Sequence, residues 1–135
     1  MSKSNNAEND TLNANLRAVD PSWRANSSRY IALFTGSPTD TGSLAAECAF
    51  GGYARVAVTA STGFSAASGG SSSNTGVIAF AECTSGSETV THVAIMETAS
   101  GAGTMIYFGA LTASRAVSSG ITLQFAIGAL IVSED

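Results

Sequence analysis

The stretch VTHVAIME, Val90–Glu97, sets the reading of the whole chain. Successive side chains of a strand point to opposite faces of a sheet. Val90, His92, Ala94 and Met96 therefore share one face, and Thr91, Val93, Ile95 and Glu97 share the other. Short apolar or alternating runs recur on both sides of it. They are Arg29–Thr35 (RYIALFT), Tyr53–Thr59 (YARVAVT), Gly76–Phe80 (GVIAF), Thr104–Thr112 (TMIYFGALT), Ile121–Phe125 (ITLQF) and Ala129–Ser133 (ALIVS). Turn residues separate them: Gly36-Ser37-Pro38 after the first run, and Gly101, Gly103 and Gly120 around the later ones. No connection offers the amphipathic helix that a parallel crossover needs. The best helical stretch, Gly42–Phe50 (GSLAAECAF), gives one or two turns at most. The expected fold is all-β, an antiparallel β-sandwich, jelly-roll-like. Ser65–Thr75 (SAASGGSSSNT) has the composition of a linker but lies between strands. It is read as a long loop inside one domain, either swaying at a surface or threaded against a neighbouring subunit.

Residues 1–28 read differently from the body, residues 29–135. They are polar and Asn-rich, with Leu12, Leu16 and Val19 at i, i+4 and i+7 on one helical face. Asp10 or Thr11 is available as N-cap, and Pro21 ends the pattern. Two helical turns are not stable alone in water, so this extended or short-helical N-terminal arm needs a surface. Trp23, the only tryptophan, is the natural anchor, on the chain's own body or on a partner.

Ala, Ser, Thr and Gly fill 71 of the 135 positions, and charged residues only 12%, against about 25% in ordinary soluble domains. Apolar residues still reach 44%, which excludes a highly charged disordered chain. A surface of small uncharged residues costs little to desolvate. It suits a protein packed against neighbours and argues against a free-standing enzyme. Residues 1–30 carry a net charge of +1 and residues 31–135 a net of −5, with Arg55 and Arg115 the only cations of the latter. An acidic body without a basic stripe argues against nucleic acid as a partner. No apolar run is long enough to span a bilayer, so no membrane partner is expected. MSKSNNAENDTLNANLRAVD lacks the apolar core of a secretory signal, so synthesis in a cytoplasm is expected.

The chain offers little chemistry. Cys48 and Cys83 with the single His92 are too few for a zinc site, and read as two small buried hydrophobes. A disulfide between them is disfavoured by the compartment. Gly51-Gly52 and Gly69-Gly70 lack phosphate-loop spacing, and no calcium-loop pattern is present, so neither cofactor nor metal is expected. His92 reads as a structural histidine at a sheet or subunit interface, with no catalytic assembly in view. Glu82, Glu88 and Glu97 flank strand ends and would serve glycoside hydrolysis only beside exposed aromatics. Arg55 and Arg115 each pair with an acid or with a neighbouring subunit. On that reading Arg55→Ala lowers assembly and leaves the monomer folded. The candidate interface residues are Leu12, Leu16, Trp23, Arg29, Arg55, His92 and Arg115.

Taken in order, the motifs of the body resemble a known family. Tyr30–Thr35 with Gly36-Ser37-Pro38 is the opening strand and turn, and Glu47 with Gly51-Gly52-Tyr53-Ala54-Arg55 is the next step. Gly69-Gly70, Asn74 and Ile78-Ala79-Phe80 follow, then Val90–Ile95, Tyr107–Thr112, and Gly120 with Leu123, Phe125, Gly128 and Leu130. The order is similar to that of small tailed-bacteriophage structural proteins often labelled "tail fibre protein", some of which resemble capsid cement or decoration proteins. The resemblance covers about residues 29–133. It implies a sandwich without catalytic residues and a place in the virion. The first expectation is a capsid cement protein: a trimer on the outer surface of the head, bridging copies of the major capsid protein. The alternative is a tail or fibre-associated module. A carbohydrate-binding sandwich or hydrolase is the third reading, and it needs Tyr30, Tyr53 and Tyr107 to converge on one surface.

Overall fold

The computed structural model describes residues 1–134. In chain order the elements are β1 (Ser2–Lys3), α1 (Asn5–Arg17), a 3-10 turn (Ser22–Ala25), β2 (Ser28–Phe34), β3 (Val56–Thr59), β4 (Ser71–Ser73), β5 (Ile78–Ala79), β6 (Ser87–Met96), β7 (Met105–Ser118), β8 (Gln124–Phe125) and β9 (Ile131–Ser133). One antiparallel sheet runs β1-β7-β6-β2-β3, and two antiparallel ribbons, β4-β9 and β5-β8, form the second layer. The protein is an all-β antiparallel sandwich with an N-terminal helix.

The alternation of Val90–Glu97 positions the core. Val93 and Ile95 pair with Leu33 and Ile31 on β2, and these four meet Ile78, Phe80, Leu130 and Val132 from the ribbon layer. On the other face Ala94 and Met96 pack with Ala32, Phe34, Met105 and Phe108, covered by Leu44 and Ala46. The central strands are thus buried on both sides. A bulge reconciles the two faces. Ile95 pairs with Tyr107 and Met96 with Met105, leaving Ile106 as the extra residue, and it turns into the ribbon-side core. A wider slip occurs lower on the same hairpin, where Val90 pairs with Arg115 but His92 with Ala110. Residues 111–114 therefore arch out opposite Thr91.

Several elements differ from the sequence expectation. The helix begins at Asn5, because Ser4 rather than Asp10 or Thr11 caps it: Ser4 Oγ accepts from the Ala7 amide at 3.3 Å. β7 continues to Ser118, although Ala113–Ser118 contains one large apolar residue, Val117. Pairing with β6 carries the strand where side-chain pattern does not. The Gly/Ser stretch is not a loop throughout. Ser71–Ser73 forms β4 on β9, Ser68 bridges Ser71, and Phe64 bridges Asn74. Asn74 is buried and ties the ribbons together. Its Nδ2 donates to Gly76 O and Ala126 O at 2.7 and 2.9 Å, and its Oδ1 accepts from Leu130 N at 2.8 Å. Backbone pairing needs no side-chain pattern, which is why a run of serines gave no strand signal.

Candidate assembly surface

The helical arm docks by the face opposite to the one its leucines suggest. Ala7 is fully buried, with Thr11 and Ala14 half-buried behind it, while Leu12 and Leu16 are 56% and 78% exposed. The small residues let the helix approach β7 closely, and the apolar stripe is left facing outward. Trp23 fixes the arm to its own body. Its ring packs on the main core, its Nε1 donates to Asp10 Oδ2 at 2.9 Å, and the Arg29 guanidinium lies 5.5 Å from the ring centroid. Partial burial of Arg29 pulls its pKa below the ordinary value. The chain's first residues are clamped as well. Lys3 Nζ lies 2.8 Å from Glu134 Oε1, and Tyr107 donates to the same carboxylate. Those hydrogen bonds, from Lys3 first and then Tyr107, hold Glu134 below the usual carboxylate range.

Arg55 takes up a carboxylate of its own chain. Its side chain is 2% exposed, and Nε and Nη2 donate to the two oxygens of Glu47 at 2.7 and 2.8 Å. Nη1 donates to Thr98 O and Oγ1, and Nη2 also to Gly101 O, so the guanidinium staples the β6–β7 turn to the Glu47 loop. Tyr53 donates to Glu47 at 2.9 Å and accepts from Leu33 N at 3.0 Å. Burial pushes the Glu47 carboxyl up, but the hydrogen bonds from Arg55 and Tyr53 and the Arg55 charge outweigh it, and its pKa lies below the ordinary value. Of the two partners expected for Arg55, an acid or a neighbouring subunit, the structure supplies an acid of the same chain. Every donor nitrogen of its side chain is occupied within one chain.

Gly51-Gly52 leads into this network for a steric reason. A Cβ on Gly51 would sit 2.2 Å from Ser85 Oγ, and one on Gly52, whose φ is +88°, would sit 2.8 Å from Glu82 O. The two glycines let the chain pass against residues 82–85 and deliver Tyr53 and Arg55 to Glu47.

His92 and Arg115 lie on an open groove of about 1280 Å³ between β7 and the C-terminal segment, with Leu111, Phe125 and Ile131 on its walls. His92 Nδ1 is 2.8 Å from Thr91 Oγ1. Arg115 is exposed and has no hydrogen-bond or ion-pair partner among the described residues. The three acids singled out for sugar chemistry are used separately. Glu88 accepts from the amides of Ala49 and Phe50, Glu97 accepts from Thr104 N and Ser22 Oγ, and Glu82 is exposed. The tyrosines do not converge either: Tyr53 binds Glu47, Tyr107 binds Glu134, and Tyr30 packs on the opposite face of the sheet. Cys48 and Cys83 are both buried and free. Burial, with Glu88 and Glu47 nearby, pushes the Cys48 thiol up to about 12. Among the described residues no helix is long and apolar enough to cross a membrane.

Glu47, Gly51, Gly52, Tyr53, Arg55 and Asn74 are thus internal supports, and the surface they carry is one of small residues and exposed apolar side chains. A family model described as podophage GP4 fiber I protein gp80 matches residues 2–133. The chain belongs to this family. It is a bacteriophage virion protein, and membership brings with it a structural label and no catalytic one. The match begins at residue 2 and so takes in the arm, which the motif resemblance beginning near residue 29 did not reach. No curated protein matches the sequence significantly.

Proposed function

We infer that the protein is a fibre-associated structural module of a podophage virion, acting through packed surfaces rather than chemistry. The observation that carries this reading is the family match, which bears a fibre label and spans residues 2–133. The surface agrees with it. Leu12, Leu16, Val19, Val77, Ile127 and Ile131 are exposed on a chain with 12% charged residues, a combination suited to permanent contacts. We further propose that the module works as a homo-oligomer, with a trimer as the first arrangement to test. Capsid cement on the outer head surface, in contact with the major capsid protein, is the second reading. It rests on the motif resemblance alone, and the fibre label of the family favours the first.

Copy number separates them. Quantitative mass spectrometry of purified particles, referenced to the major capsid protein, is expected to return about a dozen or a few dozen copies, as symmetric tail appendages require. A value in the hundreds would put the protein on the head lattice and overturn the fibre reading.

A further inference from the structure

The N-terminal arm is held to the sandwich differently from the way the sandwich holds itself. The central strands are buried on both faces, whereas α1 buries Ala7 alone, and residues 15–20 are exposed. A 13-residue helix is marginal in water, so its docked state depends on what fastens it. Beyond Ala7, little of that is apolar: half-buried Met1 packs at the rim of the main core. The remaining fastenings are polar. Lys3 Nζ lies 2.8 Å from Glu134 Oε1, and Tyr107 donates to the same carboxylate. Ser4 Oγ donates to Met105 O at 2.5 Å, Asn5 N donates to Asp40 O at 2.8 Å, and Asp10 accepts from Trp23 Nε1. The helix stops at a seam. Ala18, with φ at +52°, is a non-glycine residue in the left-handed region, and Val19 and Asp20 follow it exposed. Trp23, on the far side of that seam, belongs to the body, because its ring packs on the main core.

We propose that residues 1–17 are a strap that undocks from the sandwich as one unit, turning on residues 18–20 and uncovering the edge of β7 while the sandwich stays folded. Segments with few buried apolar contacts open at a lower free energy than the whole domain, and the arm is such a segment. What it covers gives the opening a consequence. β1 pairs with β7 at Tyr107 and Phe108, and α1 lies against the same strand. Without β1, β7 would be the end strand of the five-stranded sheet. An uncovered sheet edge presents unpaired N–H and C=O groups, and covering it with a helix or a loop keeps it from pairing with other chains. The strap is thus a removable cover. The device is a property of the chain itself and stands whichever part of the virion holds the protein.

The test is native-state hydrogen exchange of the full-length protein, followed by mass spectrometry. Amides of α1 are expected to be protected, but at least about a hundredfold less than those of β6. Lys3→Met and Asp10→Asn each remove one fastening and should speed exchange in α1 about three- to tenfold. Exchange across Tyr107 and Phe108 should rise with it, and β2 and β6 should keep their wild-type rates. Circular dichroism and thermal melting confirm that each variant folds. A covalent lock supplies the converse. Lys3 and Tyr107 are partners across the β1-β7 pair, so Lys3→Cys with Tyr107→Cys, once oxidised, should slow α1 exchange below the wild-type rate and lose that effect on reduction. Four results overturn the proposal: α1 without protection in the wild type, one common rate for α1 and β6, variants that leave α1 unchanged or speed β6 equally, or a closed lock that does not slow α1. Copy number is read on particles and exchange on pure protein, so either reading can fail alone.

Discussion

Arg55→Ala is expected to unfold the body more readily, not merely to loosen its assembly. The substitution removes five hydrogen bonds and leaves Glu47, 16% exposed in its side chain, beside Tyr53 without its counter-ion. Breaking a buried ion pair from one side costs about 3–5 kcal/mol, and the partial exposure of Glu47 places this case near 3 kcal/mol. At about 2.1 cal/mol/K per residue the unfolding entropy of a chain of this length is near 0.28 kcal/mol/K, so the melting temperature should drop by about 10 °C. Urea and thermal melts at pH 7 measure both quantities. Arg55→Lys keeps the charge but not the fork, and should recover about half of the loss. The pH dependence supplies a second reading. Glu47 titrates below its ordinary value in the folded state, so its contribution is present above about pH 4.3 and is lost as pH falls through the lowered value. Without Arg55, only the Tyr53 hydrogen bond opposes the effect of burial on Glu47, so the gap between variant and wild type should narrow below about pH 4. A loss under about 1 kcal/mol, or a gap independent of pH, would refute the account of Arg55 as an internal staple.

Three further outcomes follow from the packing. Gly52→Ala should destabilise by about 1–3 kcal/mol, since φ is +88° and the new Cβ meets Glu82 O at 2.8 Å; a urea midpoint within error of wild type would contradict that. Asn74→Ala should cost about 2–3 kcal/mol and raise amide exchange at Leu130, whose N–H loses its acceptor; unchanged protection at Leu130 would show that another group takes its place. Cys48, buried and with its pKa pushed up to about 12, should stay unlabelled by iodoacetamide at pH 8 in the native state and react once urea unfolds the chain; rapid native labelling would place it at the surface.

The sequence by itself determined the all-β antiparallel class, because the two-faced run Val90–Glu97 and the apolar run Arg29–Thr35 are local properties of the chain. The resemblance to the phage family grouped Glu47, the glycine pair and Arg55 as one step, but not what the unit does. Whether an arginine faces a neighbour or a carboxylate eight residues away depends on where the β6–β7 turn lies, and only the fold brings Thr98 and Gly101 to it. The arm shows the same limit. Spacing placed Leu12 and Leu16 on one helical face, but the helix ends at Arg17, short of Val19, and Ala7, Thr11 and Ala14 make the docked face, because close approach to β7 favours small side chains over an apolar stripe. The strand of serines at Ser71–Ser73 left no pattern at all, because its stability comes from pairing with β9, which lies far away in sequence. Tertiary structure decided which apolar residues were left exposed, because the covering of a strand or helix face depends on contacts distant in sequence.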